Sequence, residues 1–161
     1  MKKITFLIIS SFLFIYINAC TGYTPIYSSS SFNYKIEDYS LKGEERLSNL
    51  IFRKLNNVSN KNNPDVKGIG ISIETKKKKT PTVKNSAGKI LEYEINLITD
   101  IIINDFLSEN IILNHNFNYS ISYKVQNEYS ETIKLENQNI VNLVNKTYEE
   151  ILIKISEIIT K

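Results

Sequence analysis

The sequence predicts an α+β domain: a two-layer sandwich of one four-stranded sheet with two helices packed on one face, in the order β-α-β-β-β-α. Three patterns carry this expectation. Several segments alternate apolar and polar residues with period two, the mark of half-buried strands. Two segments repeat apolar residues at three- and four-residue spacing, the mark of amphipathic helices. Strands with one oily face and helices with one oily stripe bury both most economically when the helices lie together on one side of the sheet.

The elements follow in order. Phe32, Tyr34 and Ile36 alternate with Asn33, Lys35 and Glu37, giving the first strand. Leu47, Leu50, Ile51, Leu55 and Val58 then take helical spacing, with Glu44 and Glu45 early and Arg53 and Lys54 late, as the helix dipole prefers. That predicts a helix from about Leu41 to Asn57, followed by a polar loop containing Pro64. Ile69, Ile71 and Ile73 form a second strand. Lys76, Lys77, Lys78 and Lys79, then Pro81, Lys84 and Gly88, read as an exposed basic loop.

The third strand puts Leu91, Tyr93, Ile95, Leu97, Ile101 and Ile103 on one face and Glu92, Glu94, Asn96 and Asp100 on the other. After a turn at Asp105 to Asn110, the fourth strand repeats the division. Phe117, Tyr119, Ile121 and Tyr123 oppose Asn116, Asn118, Ser120 and Ser122. The tail returns to helical period from about Leu135 to Ile159, with Ile140, Leu143, Val144, Tyr148, Ile151, Leu152 and Ile155 in one stripe.

The chain has 161 residues, 20 Lys+Arg against 17 Asp+Glu, one His and one Cys. One cysteine excludes an internal disulfide framework and any multi-cysteine metal site. His115 lies on the apolar phase of the fourth strand as a half-buried strand residue. Without a nucleophile motif around it, no catalytic residue is assigned, no metal site is expected and the chain is not read as an enzyme. Glu92 and Glu94 alternate with core residues, as solvated charge on a wet face does. Gly68-Ile69-Gly70 lacks the third glycine and following helix of a dinucleotide loop.

The start of the chain is a signal. Met1-Lys2-Lys3 precedes an apolar run from Ile4 to Ile17, and a helix of that length covers about 21 Å of a roughly 30 Å hydrocarbon core. A charged start, a short apolar run and a small residue before a Cys form a lipoprotein signal peptide over residues 1–19. Ile17-Asn18-Ala19-Cys20 resembles the bacterial lipobox, which implies cleavage before Cys20, covalent diacylglycerol on its sulfur and an N-acyl lipid on its amino group, with palmitate as the usual acyl chain. No other cofactor is expected. Residues 20–31 then form a lipidated tether, with four consecutive serines, and 32–161 the single domain. Cleavage removes Lys2 and Lys3, two of the three net positive charges, so the remaining base is concentrated around Lys76 to Lys84.

Cys20-Thr21-Gly22-Tyr23-Thr24-Pro25-Ile26-Tyr27 resembles the "C-G-F-x-P-L-Y" opening of the LPS-assembly lipoprotein LptE family. Thr21 stands between Cys and Gly, Tyr23 replaces Phe and Ile26 replaces Leu. Val83-Lys84-Asn85-Ser86-Ala87-Gly88 is similar to the family's basic approach to its third strand. Ser122-Tyr123-Lys124, Glu128-Tyr129-Ser130 and Tyr148-Glu149-Glu150-Ile151 are similar to later family segments. Tyr93 and Glu94 stand about where family members carry Arg. The resemblance implies an outer-membrane protein on the periplasmic side, held to the inner leaflet by its lipid anchor. It implies that the domain plugs and helps assemble the β-barrel LptD and binds lipopolysaccharide in transit. Lys76, Lys77, Lys78, Lys79 and Lys84 are the expected contacts for lipopolysaccharide phosphates. Nucleic acid is not an expected partner. The competing expectation is an unrelated outer-membrane lipoprotein that binds a ligand or partner through an open apolar cleft on the oily side of its sheet.

Overall fold

The computed structural model describes residues 34–60 and 66–159. The signal peptide, Cys20, the tether, Phe32 and Pro64 lie outside the described residues. Six elements follow one another: β1 (Tyr34–Gly43), α1 (Glu45–Val58), β2 (Lys67–Lys84), β3 (Ile90–Asp105), β4 (Ile111–Lys124) and α2 (Tyr129–Ile159). This is the expected β-α-β-β-β-α order, and the sheet runs β1-β2-β3-β4. β1 and β2 are parallel and joined through α1, while β2, β3 and β4 form an antiparallel meander.

The core lies between the sheet and both helices. Ile69, Ile71 and Ile73 of β2, Ile95, Leu97 and Ile101 of β3 and Phe117 of β4 meet Leu47, Ile51 and Leu55 of α1 and Leu143, Ile151 and Leu152 of α2. Tyr34 is wholly buried, and its hydroxyl donates to the Leu55 carbonyl at 3.1 Å. Burial pushes that phenol far above its ordinary pKa.

β1 runs further than its alternation foretells. A bulge between Ile36 and Asp38 shifts the phase by one residue. Tyr39 and Leu41 thereby join Ile36 opposite Ile71, Ile73 and Ile69. Leu41 and Lys42, expected to open the first helix, therefore extend the strand, and α1 begins at Glu45. The turn between them needs Gly43. Its φ is +75°, and a Cβ there would sit 2.1 Å from the Thr75 carbonyl oxygen.

α2 is also longer than expected, starting at Tyr129 rather than Leu135. Its first turn is polar and is anchored by Thr132, whose hydroxyl accepts the Gln126 N–H at 2.9 Å. Thirty-one residues make a helix about 46 Å long.

Candidate functional site

The four adjacent lysines do not form a loop. They continue β2, paired in unbroken register with β3 from Lys76↔Ile98 to Lys79↔Ile95. The lack of alternation in Lys-Lys-Lys-Lys hides the strand from a periodicity argument. The position explains the composition. β1 ends at Gly43 opposite Thr75, so from Lys76 onward β2 has no neighbour on that side. A newly exposed strand edge lined with lysine resists pairing with other chains.

Strand geometry divides the lysines between two faces, with same-face neighbours about 7 Å apart. Lys76 and Lys78 stand on the polar face, over Ile98 and Asn96 of β3 and Asn118 and Ser120 of β4. Asn96 Nδ2 donates to Asn118 Oδ1 at 2.6 Å, and Asn116 Nδ2 to the Asp100 carboxylate at 2.6 Å, so amides on this face are paired with each other and with a carboxylate. Lys76 is tied to Glu74 at 2.8 Å, and that bond raises its pKa.

Lys77 and Lys79 face the helix side. Lys79 Nζ bonds Glu136 Oε2 of α2 at 2.6 Å and lies 4.3 Å from the centre of the Tyr93 ring. Tyr123 donates its hydroxyl to the same Glu136 oxygen at 2.9 Å. Burial works against the Lys79 charge, but its bonds to Glu136 and Tyr123 outweigh that, and its pKa ends above the usual lysine value. Glu136 ends below the usual carboxylate range: burial raises it, and Lys79 and Tyr123 pull it down further. This clasp joins β2, β4 and α2.

Beside the clasp is an open cleft of about 280 Å³ lined by Lys79, Lys89, Tyr93, Gln126, Tyr129 and Thr132, among others. It lies where the β2–β3 hairpin passes the start of α2. The hairpin tip is a tight turn: Asn85 Oδ1 accepts the Ala87 and Lys89 N–H groups, and Gly88 takes φ +79°. Lys84 ends β2 on the exposed side of this tip, paired with Ile90.

The predicted lysine contacts are thus separated. Lys79 is held by Glu136 and Lys76 by Glu74, while Lys77, Lys78 and Lys84 form no ion pair among the described residues. Cys20 lies outside the described residues. The cleft residues Tyr93, Lys89 and Tyr129 went unseen as a group because three elements bring them together. His115, expected to be half buried, is exposed and meets the Phe117 ring edge-on at 4.5 Å. Glu92 accepts a hydrogen bond from the Thr82 hydroxyl at 3.1 Å and pairs across the sheet with Lys124, as expected of a wet face. Among the described residues, no group of His, Cys, Asp and Glu side chains could hold a metal, and no helix is long and apolar enough to cross a membrane.

No family model matches the chain. No curated protein matches it either. Solved structures do share its fold. A Caulobacter crescentus chain described as a lipoprotein superposes with a TM-score of 0.56 at 12% identity, over 76% of this chain and 88% of that one. Rare lipoprotein B from Shewanella oneidensis gives 0.51 at 15% identity, over 74% and 94%. A minor lipoprotein from Acinetobacter baumannii gives 0.56 at 17% identity, over 78% and 92%. At these identities the likeness is one of fold.

Proposed function

We propose that this chain is a non-enzymatic lipoprotein of the LptE kind. In this reading Cys20 anchors it on the periplasmic side of the cell outer membrane. The domain plugs the β-barrel LptD, helps that barrel assemble, and binds lipopolysaccharide on its way to the surface. The carrying observation is the shared fold: three chains described as lipoproteins are covered over 88% to 94% of their own length. The Cys20–Tyr27 segment supports the same family.

The geometry suits the role. A barrel lumen is polar, and the amides and charged side chains on the open side of the sheet make a polar lining for it. Lys78 and Lys84 supply cations outside any ion pair among the described residues, and Lys77, whose charge acts on Glu136 without an ion-pair contact, adds a third, suited to phosphate as point charges. The competing reading needs an open apolar cleft on the oily side. An open cleft does lie on that side, beside the clasp, but its lining mixes Lys79, Lys89, Gln126 and Thr132 with Tyr93 and Tyr129 and is not an apolar one; the apolar slot between Ile69, Ile103, Leu113 and Ile155 holds about 20 Å³, room for little more than one water.

The test is affinity isolation of the full anchored chain from detergent-solubilised outer membranes. Recovery of a large β-barrel protein in stoichiometric amount is the expected result. Isolation of the chain without a barrel overturns the plug.

A further inference from the structure

The open cleft of about 280 Å³ draws its walls from separate elements. Tyr93 of β3 and Tyr129 of α2 supply two aromatic rings. Lys79 of β2 and Lys89 of the hairpin turn supply two ammonium groups. Gln126 and Asn127, in the link from β4 to α2, supply two amides.

The fold leaves much of this lining unspent. Tyr129 is 79% exposed, a large ring with little protein against it. Lys89 is exposed and forms no ion pair among the described residues. Gln126 uses its Nε2 on the Lys124 carbonyl at 3.0 Å, which leaves its amide oxygen for an incoming hydroxyl. Lys79 gives one N–H to Glu136 and has others to give, and the Tyr93 ring keeps its ammonium at the cleft wall. α2 begins at Tyr129, so the positive end of its dipole lies at the same mouth. Glu128 and Glu131 flank that helix start but do not line the cleft.

The lining selects among ligand classes. A wholly apolar ligand would strip water from Lys89, Gln126 and Asn127 and return no hydrogen bond. A bare inorganic anion would meet the ammonium groups and leave both rings idle. A sugar ring bearing an anionic group uses every part: its C–H face lies on tyrosine, its hydroxyls meet the amides and its anion meets the lysines. A few oriented polar groups around an aromatic wall are the usual make-up of a small-ligand site.

We propose that this cleft binds an anionic sugar, with the sugar ring against Tyr93 and Tyr129 and its phosphate or carboxylate between Lys79 and Lys89. The site uses none of Lys77, Lys78 and Lys84, and it does not depend on the barrel reading.

The test is calorimetric titration of the full anchored chain in a detergent that carries neither sugar nor phosphate. The probes are glucose phosphate and glucuronate as anionic sugars, glucose as a neutral one and inorganic phosphate as a bare anion. An anionic sugar should bind at least about tenfold tighter than glucose or inorganic phosphate, the worth of one charged hydrogen bond. Lys89→Ala and Tyr129→Ala change exposed side chains, so the circular dichroism spectrum should stay unchanged while each lowers that affinity about tenfold. Lys42→Ala, on β1 outside the cleft, should leave it as it is. Absence of binding by both anionic sugars, inorganic phosphate binding as tightly as they do, or an equal loss in Lys42→Ala and Lys89→Ala each overturns the assignment. No barrel enters this measurement, so its failure leaves the plug standing, and isolation of the chain without a barrel leaves the cleft standing.

Discussion

Ser48 Oγ of α1 lies 2.8 Å from Thr75 Oγ1 of β2, and both side chains are wholly buried. Thr75 Oγ1 also lies 3.0 Å from the Glu44 carbonyl and Ser48 Oγ 2.7 Å from the Lys42 carbonyl, so two hydroxyl protons serve three contacts. These contacts tie the strand-to-helix junction to β2, at a helix start where Glu44 makes no side-chain cap. Thr75→Val keeps the shape but removes the hydroxyl that links Ser48 to the Glu44 carbonyl, while Ser48 Oγ keeps the Lys42 carbonyl and the Glu44 carbonyl keeps the Leu47 and Ser48 N–H groups. It should lower stability by about 0.5–1.5 kcal/mol in urea unfolding, the net worth of a hydrogen bond.

Thr99, directly across from Thr75, is the contrast. It is as buried, yet its hydroxyl has no partner among the described residues. Thr99→Val should therefore be neutral or stabilising by up to about 1 kcal/mol in the same measurement. A loss equal to that of Thr75→Val would show that the two hydroxyls are equivalent.

Gly43 and Gly88 share a positive φ and differ in space. A Cβ on Gly43 meets the Thr75 carbonyl, while one on Gly88 meets nothing within 4 Å. Gly88→Ala should cost about 1–2 kcal/mol, the conformational term alone. Gly43→Ala adds displacement of the β1–α1 junction and should lower the melting temperature well beyond that. Equal melting temperatures would remove the steric argument.

The Lys79–Glu136–Tyr123 clasp has a pH window. Glu136 has a folded pKa below its unfolded value, so its contribution is present above the ordinary carboxylate range. It is lost as pH falls through the depressed value. Lys79 has a raised pKa, so its contribution is present below the usual lysine pKa and is lost as pH rises through the raised one. Tyr123 ring resonances should shift at both ends. Glu136→Gln should abolish the acid transition and leave the fold intact.

Asp105 makes a separate prediction in the β3–β4 turn. Its carboxylate accepts the Ser108 and Leu107 N–H groups and pairs with Lys67, which lowers its pKa to about 2. Its carboxyl carbon resonance should titrate near that value, and the turn should persist to pH values at which ordinary carboxylates are already protonated. Titration in the ordinary carboxylate range would contradict the bonding.

The lysines now separate into two groups. Replacing Lys77, Lys78 and Lys84 with Ser should weaken lipopolysaccharide binding while leaving unfolding unchanged. Lys79→Ser should also loosen α2, because it frees Glu136. Binding unaffected by the triple change would leave these lysines as protection for the strand edge.

The sheet, its oily face and both helices were legible in the sequence because period and burial agree there. Leu97, Phe117 and Ile151 fall where alternation or helical spacing places them. Three features were hidden for identifiable reasons. The bulge after Ile36 reverses the phase, so the alternation stops there and Leu41 reads as the start of a helix. Four lysines in a row carry no period, so a strand looked like a loop. The first turn of α2, Tyr129 to Thr132, is polar on most sides and contributes little to the stripe. The clasp could not be read at all, since Lys79, Tyr123 and Glu136 are far apart in sequence.

The early end of β1 has a mechanical consequence. Up to Thr75 β2 is flanked by strands on both sides; past it, its backbone pairs with β3 alone, and the Lys79–Glu136 bond is its tie to α2. The hairpin is then a graded arm on a firm base. Amide protection should fall in steps from Ile73 toward Lys84, so the tip can open and close many times for each unfolding of the domain.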